Sequence, residues 1–256
     1  MQMKAGNQTT RELLGVVLEG RGLEKTFGSG SAAIAAVRGV DIALQAGQVT
    51  TLMGPSGSGK STLLHLLAGL ETPSTGTVLY QGGELADLSE DDLARWRAEH
   101  AGFVLQRNNL IPTLNVAENV AAPQILSGER RQVALERARA ALTDVGLGER
   151  VSQFPTQLSG GEAARAAVAR ACLGAPTIIF ADEPTGNLDR ENGAIVLDLL
   201  ISKVRATGAA ALIVSHDQAV ADAGDRVLRL VDGRVDDVQH AAAGPAPARQ
   251  KRETDA

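Results

Sequence analysis

The sequence has little of what a nucleic-acid-binding protein uses. Aromatic residues make up 2% of the 256 residues, so few side chains are available to stack on bases. The formal net charge is −5, with acidic and basic residues mixed along the chain, whereas a nucleic-acid surface relies on a positive stripe. We therefore expect no nucleic-acid partner.

Cysteine and long apolar runs are scarce as well. The single cysteine, Cys172, cannot form a disulfide within the chain, and we interpret it as a small buried residue in a reducing compartment. The longest apolar runs, such as residues 209–214, are far shorter than the ~18 residues that a membrane span needs. The sequence after Met1 is polar, unlike a secretory leader. These features favour a cytosolic protein, unless it docks on another component.

Four short apolar runs are each followed by a small or polar residue. Continuous apolar runs of this length are typical of strands buried on both faces of a parallel sheet. Ligands bind at the carboxyl ends of such strands, so we expect the residues that follow the runs to share one edge. The runs are residues 49–53, 102–105, 177–181 and 211–215, and they are followed by Gly54, Gln106, Asp182 with Glu183, and His216.

The sequence GPSGSGKS, residues 54–61, matches the phosphate-binding loop pattern GxxxxGK[ST]. Its glycines allow backbone N–H groups to surround an anion, and the helix that follows directs its positive end at the same place. We expect Lys60 to reach the β- and γ-phosphates of a nucleoside triphosphate and Ser61 to bind Mg²⁺. The predicted nucleotide-binding residues are Gly54, Pro55, Ser56, Gly57, Ser58, Gly59, Lys60, Ser61 and Thr62.

Polar residues after the other runs suit hydrolysis of that triphosphate. Asp182 is a candidate for the Mg²⁺ shell, and Glu183 points elsewhere because strand side chains alternate. A second carboxylate beside the γ-phosphate can orient and deprotonate the attacking water, which is the role predicted for Glu183. His216 is predicted to donate to the γ-phosphate, and Gln106 to contact Mg²⁺ or the water.

The sequence LSGGE, residues 158–162, opens an alanine-rich run that predicts a helix. Ser159 and Glu162 have the spacing of a capping box. The two glycines weaken this helix start, since each lowers helix propensity by roughly 1 kcal/mol relative to alanine. Glycine also lets backbone approach an anion closely. We therefore predict a second anion-binding helix start, formed by Ser159, Gly160 and Gly161.

Six motifs, in the order GPSGSGKS, VLQRNN, LSGGE, IIFADEP, GNLD and IVSHD, resemble the nucleotide-binding ATPase subunits of ABC transporters. The resemblance covers about residues 17–235, and the combination with LSGGE is specific. It implies an α/β P-loop NTPase fold with a mostly parallel sheet core, an N-terminal antiparallel β subdomain and an α-helical insertion at about 89–157. The ATPase domain is predicted at 16–239, between a loosely ordered start at 1–15 and a disordered tail at 240–256.

The resemblance also implies a dimer, either a homodimer or a pair with another ATPase subunit. In this family each ATP lies between the phosphate loop of one chain and the signature sequence of the other, here Ser159 to Gly161. Asp189, in GNLD, is expected to line the same boundary. Phe27 is similar in position to the aromatic residue that stacks on adenine, with a core or hairpin role as the alternative.

The sequence looks most like the branch of macrolide-export and lipoprotein-release systems, and LSGGE also occurs in the related cell-division ATPase. That branch implies an integral membrane permease as partner, such as an FtsX-like protein with about four spans. It places the chain at the cytoplasmic face of the cell membrane, held peripherally through the permease. One departure is alanine at Ala163 and Ala164, where the branch usually has glutamines.

Apolar residues after Gln106 suggest where such a permease would dock. Leu110, Ile111 and Leu114 are predicted to form a groove for a cytoplasmic coupling helix, with core packing as the alternative. Other functions stay open: a regulatory ABC ATPase of the cell-division type, a non-transporting ABC ATPase of DNA repair or translation, or a P-loop kinase. The cargo and its direction of movement are not written in this chain.

Overall fold

The computed structural model describes residues 15–240. The expectations of a loosely ordered start and of a disordered tail fall almost wholly on residues 1–14 and 241–256, which lie outside the described residues. Within residues 15–240, no helix is both long enough and apolar enough to cross a membrane.

Ten strands and seven helices follow one another within this part of the chain. The strands are β1 (Val16–Phe27), β2 (Ile34–Gln45), β3 (Val49–Met53), β4 (Thr75–Tyr80), β5 (Gly83–Glu84), β6 (Ala101–Leu105), β7 (Ile178–Asp182), β8 (Ala210–Val214), β9 (Arg226–Val231) and β10 (Arg234–His240). The helices are α1 (Lys60–Leu67), α2 (Glu90–His100), α3 (Val116–Leu126), α4 (Arg131–Asp144), α5 (Gly160–Cys172), α6 (Arg190–Thr207) and α7 (Gln218–Ala223).

The larger sheet has six strands in the order β10-β9-β3-β8-β7-β6. Its strands pair in parallel from β9 through β6, and only the β9–β10 pair is antiparallel. The four predicted apolar runs are β3, β6, β7 and β8, each within one residue of its predicted start. Their carboxyl ends therefore lie along one edge of this sheet, as the sequence predicted.

The smaller sheet is antiparallel, with the strand order β2-β1-β4-β5. Its strands come from residues 16–84, in the N-terminal part of the chain, where the resemblance implied an antiparallel β subdomain. The long strands β1 and β2 pair along their whole length, from Val16 opposite Gln45 to Phe27 opposite Ile34. This pairing places Phe27 at one end of the smaller sheet.

The core lies on both faces of the larger sheet. Along β7, Ile178 and Phe180 pack with α1 and the smaller sheet, whereas Ile179 and Ala181 pack with α5 and α6. All four side chains are fully buried, which explains why the run is continuously apolar. Burying one large apolar side chain stabilises the fold by roughly 1.5–3 kcal/mol.

Helices α3 and α4 form a third cluster with α5. Val116, Val120, Ala138 and Leu142 are buried there against Ala166 of α5. The predicted helical insertion at 89–157 also contains β6, a strand of the larger sheet. The helices that pack together as a unit therefore begin after β6, with α3.

Candidate nucleotide site

The residues that follow β3, β7 and β8 meet at the predicted edge of the sheet. Ser61, at the start of α1, donates through Oγ to Asp182 Oδ1 at 3.2 Å. His216 Nδ1 lies 2.8 Å from Glu183 Oε1. The two adjacent carboxylates thus have different partners. Glu183 lies just after β7 with φ 47°, so the turn sets the direction of its side chain, and not the strand alternation that the sequence reasoning invoked.

The phosphate loop is held closed by its own lysine. Lys60 Nζ donates to the carbonyl oxygens of Gly54 at 2.8 Å and Pro55 at 2.9 Å. Among the described side chains, none caps the start of α1, whose N-cap residue is Gly59. The first backbone N–H groups of a helix have no partner within it, so this start can bind an anion.

Two glycines of the loop are needed for packing. A Cβ at Gly54 would lie 2.1 Å from the carbonyl oxygen of Leu230, and one at Gly59 would lie 2.1 Å from that of Ala36. Both also have positive φ, 155° and 103°. Gly57, with φ 79°, has open space where its Cβ would be. The loop glycines therefore do more than surround an anion: two of them let β2 and β9 approach.

Glu183 is held by more groups than the sequence suggested. Its backbone is in the left-handed region, with φ 47°, and its N–H donates to Val214 O at 2.9 Å. Its Oε2 accepts a hydrogen bond from Ser215 Oγ at 3.2 Å, while Oε1 contacts His216. An ionised carboxylate only accepts hydrogen bonds, so His216 donates from Nδ1.

Gln106 lies beside the loop that follows Glu183. Asn187 Nδ2 donates to the Gln106 carbonyl oxygen at 2.7 Å, and a Cβ at Gly186 would be 3.5 Å from Gln106 Nε2. The Gln106 side chain is therefore near Glu183.

The turn after Gln106 is stabilised by an arginine from another helix. Arg170 of α5 donates to the carbonyl oxygens of Asn109 at 2.8 Å and Asn108 at 2.6 Å. Both asparagines have positive φ, 57° for Asn108 and 45° for Asn109. Burial lowers the pKa of Arg170.

The capping box of LSGGE is present at the start of α5. Ser159 Oγ accepts from Glu162 N at 3.2 Å, and Glu162 Oε2 accepts from Ser159 N at 2.8 Å. The bond from Ser159 N, with smaller effects of the Ser159 hydroxyl and Arg150, lowers the pKa of Glu162. The Ser159 hydroxyl therefore accepts from Glu162 N and also lies within reach of the Glu162 carboxylate, whose pKa it helps to lower.

The two glycines of LSGGE differ in their surroundings. Gly160 is exposed, and a Cβ there would be 3.4 Å from Leu188 Cδ2, an ordinary contact. Gly161 is buried, and a Cβ there would be 2.5 Å from Asn192 Oδ1. Packing within the chain thus accounts for Gly161, while only Gly160 lacks such an explanation.

The remaining predicted site residues are not joined to the phosphate loop. Within residues 15–240, no hydrogen bond connects the loop with Ser159, Gly160, Gly161, Asp189 or Phe27. Asp189 caps α6 by accepting from Asn192 N at 2.9 Å, and this bond lowers its pKa.

Phe27 is exposed at the end of β1, with 42% of its surface accessible. Lys25 Nζ lies 5.2 Å from the centre of its ring. This exposure argues against a core role for Phe27, whereas its pairing with Ile34 at the end of β1 and β2 keeps the hairpin role as an alternative to adenine stacking.

An apolar groove opens next to the turn after Gln106. It has a volume of about 400 Å³, and Ile111, Leu70 and Leu126 line it together with Arg170. Leu126 is 86% exposed and Ile111 46%. Leu110 instead packs against the cluster of α3, α4 and α5, and Leu114 is not part of the lining. Of the three predicted groove residues, only Ile111 lines it.

Several residues of the site were not singled out from the sequence. Ser215 is the one polar residue of the run ALIVS, and this polarity at a strand end could have marked it as a site residue. Arg170 lies in an alanine-rich helix between the buried residues Ala169 and Ala171, and a charged residue at such a position could have indicated a buried polar contact. Ala164, the departure from the branch pattern, is buried beside Val168 and Val196, in a core that suits its small size.

Comparison with known proteins decides the family. Residues 37–186 match the sequence profile of the family described as ABC transporter. The chain belongs to the ABC transporter family. This confirms the resemblance of the six motifs.

Individual relatives of the ABC transporter family agree along most of the chain. The ABC transporter ATP-binding protein YbbA of Escherichia coli K12 is 46% identical over 219 residues, 86% of this chain and 96% of that protein. The lipoprotein-releasing system ATP-binding protein LolD of Roseobacter denitrificans is 43% identical, over 87% of this chain and 98% of that protein. The predicted branch of macrolide-export and lipoprotein-release systems is thereby confirmed.

The fold and the enzyme class agree with a solved structure. The ATP-binding cassette MJ0796, described as a dimeric post-hydrolysis state bound to ADP and Pi, matches with a TM-score of 0.81 and 35% identity. The match covers 88% of this chain and 99% of that one. The predictions of a P-loop NTPase fold and of an ATP-binding, ATP-hydrolysing ABC subunit are confirmed.

Proposed function

We propose that this ABC ATPase hydrolyses ATP at the sheet edge, with Glu183 as the general base. The observation that carries the proposal is the position of the Glu183 carboxylate, held on both oxygens by Ser215 and His216. The same edge carries the phosphate loop and the Ser61–Asp182 pair. The attacking water would thus lie beside Glu183, and the γ-phosphate would lie in the phosphate loop at the same edge of the sheet.

Mg²⁺ fits the oxygen donors of this edge. Ser61 Oγ and Asp182 Oδ1 lie 3.2 Å apart, and a hydroxyl and a carboxylate are ligands that this hard cation accepts. The Gln106 amide oxygen is the third candidate ligand. When bound, Mg²⁺ would neutralise charge on the β- and γ-phosphates.

Each side chain of the chain then has a distinct part. Lys60 turns from the loop carbonyls to the phosphates, which offer it a stronger, charged acceptor. Glu183 orients the attacking water and takes its proton. The His216 side chain is 70% exposed, which allows it to reach the γ-phosphate.

A second ATPase copy completes the site. Ser159 and Gly160 form an exposed helix start that can bind an anion, although the chain already has a complete phosphate loop. We infer that they receive the γ-phosphate bound by the partner, and that Asp189 lies at the same boundary. The dimeric state of the MJ0796 cassette supports this arrangement. Phe27 would stack on the adenine.

We infer that the partner driven by this ATP hydrolysis is a membrane permease. The similarity to LolD, a subunit of a lipoprotein-releasing system, supports a permease of the FtsX-like type with about four spans, in export or mechanotransmission. The apolar groove beside Gln106 supports docking of a cytoplasmic helix of the permease. The chain would then be peripheral, at the cytoplasmic face of the membrane.

Glu183→Gln tests the central assignment. Glutamine keeps the shape of the side chain but cannot accept the proton, so we expect turnover to fall on the order of 10²-fold or more. ATP binding should persist, and the variant should form an ATP-dependent dimer on gel filtration. Glu149→Gln, which neutralises an exposed carboxylate elsewhere, is the matched control. Phosphate release by Glu183→Gln at the wild-type rate would refute the assignment.

A further inference from the structure

We infer that Ser215 is the residue that positions Glu183 for catalysis, an inference that rests on the proposed role of Glu183 as the base. Ser215 directly follows β8 and is fully buried. Its Oγ donates to Glu183 Oε2 at 3.2 Å and accepts from Asp217 N at 3.1 Å. The hydroxyl is thus a bridge between a backbone donor and the carboxylate.

The direction of this bridge is determined by chemistry. A backbone N–H can only donate, so the Ser215 oxygen accepts from Asp217. An ionised carboxylate can only accept, so the single hydroxyl proton points at Glu183. With both bonds made, the hydroxyl has no freedom to rotate, and its donor is oriented before any substrate binds.

Ser215 also ties the carboxylate to the strand that carries the phosphate loop. Its backbone N–H donates to Leu52 O at 3.2 Å, and Leu52 lies two residues before Gly54. Through one buried residue, the oxygen of Glu183 is therefore connected to the backbone that leads into the phosphate cradle.

Glu183 needs such a support because its second donor, His216, is exposed whereas Ser215 is buried. The terminal torsion of a glutamate side chain is broad, so one hydrogen bond does not define the plane of the carboxylate. The second donor, His216, is 70% exposed, and the proposed function moves it towards the γ-phosphate. Once His216 has moved, Ser215 is the donor that keeps the carboxylate oriented.

Ser215→Ala removes this donor and should lower kcat about tenfold, since misplacement of a reacting group by a fraction of an ångström is costly. The KM for ATP should change less than about twofold, because the described hydrogen bonds of Ser215 go to Glu183, Asp217 and Leu52 and not to the phosphate loop. Ser215→Thr keeps the hydroxyl and should restore most of kcat. Ser215→Cys keeps the size with only a weak donor, and should behave like alanine.

Thr51→Val is the matched control for the loss of a buried hydroxyl. Thr51 lies in β3, the strand next to β8. Its Oγ1 donates to Val220 O in α7 at 3.3 Å and not to Glu183. Thr51→Val and Ser215→Ala should both lower thermal stability, whereas only Ser215→Ala should lower kcat. An equal loss of kcat in both variants would show a merely structural role and overturn the inference.

A double mutant separates this inference from the proposed function. If Ser215 acts through Glu183, adding Ser215→Ala to Glu183→Gln should cause no further loss of phosphate release. A further tenfold loss in that background, or a wild-type kcat for Ser215→Ala and Ser215→Cys, overturns the positioning role alone. Wild-type turnover of Glu183→Gln by itself overturns the proposed function.

Discussion

Mixed dimers of two inactive variants provide the strictest test of the composite site. Gly160→Glu places a carboxylate at the exposed helix start that is proposed to bind the partner's γ-phosphate. Two unit charges about 4 Å apart repel by about 4 kcal/mol at an effective dielectric constant of 20. A difference of that size corresponds to about a 10³-fold loss of ATP-dependent dimer.

The fold should tolerate Gly160→Glu. Gly160 is exposed and its Cβ meets only Leu188 at an ordinary distance, unlike Gly161, which packs on Asn192. Replacing glycine in a helix raises helix propensity by roughly 0.5–1 kcal/mol, and a carboxylate is favourable at this end of the dipole. The free energy of unfolding should therefore stay the same or rise while ATPase activity is lost.

Mixing Gly160→Glu with Lys60→Ala should restore activity. One composite site of each heterodimer then contains both defects, and the other contains neither. Each heterodimer has one intact site of two, so its activity should be about half that of a wild-type dimer. Phosphate release at saturating ATP and Mg²⁺ measures this, with gel filtration to count the dimers.

A second mixture serves as the negative control. Lys60 and Glu183 act on the same nucleotide, so Lys60→Ala mixed with Glu183→Gln leaves every site defective and should stay inactive. If the Gly160→Glu mixture is equally inactive while dimers form, or if Gly160→Glu alone hydrolyses ATP normally, the composite site is refuted.

Two further predictions follow from altered pKa values. Burial raises the pKa of Cys172 to about 11, so the thiol should react slowly with iodoacetamide at pH 8 in the folded chain and rapidly in urea; rapid labelling of the folded chain contradicts this. The pKa of Glu162 is lowered in the folded state, so its stabilising effect is present at neutral pH and is lost as pH falls through that lowered pKa. Urea unfolding of Glu162→Gln should consequently lose less stability between neutral and acidic pH than wild type, and identical pH slopes would disprove the effect.

The sequence alone determined the features that depend on neighbours along the chain. The capping box joins Ser159 to Glu162, three residues apart, and a local pattern suffices to predict it. The edge shared by the phosphate loop, Asp182, Glu183 and His216 followed from the apolar runs, because parallel strands end on the same side.

Only the tertiary structure decided which distant groups support those residues. Ser215 lies 32 residues from Glu183 in sequence, and Arg170 lies 62 residues from Asn108. Likewise, Gly54 is required by the carbonyl of Leu230, which a pattern of loop glycines does not reveal. The physical reason is that these contacts depend on how strands and helices pack. Packing brings together residues that are far apart in the chain, and no local sequence pattern indicates which of them will meet. Local motifs place the chemistry at one edge of the sheet, and packing orients it.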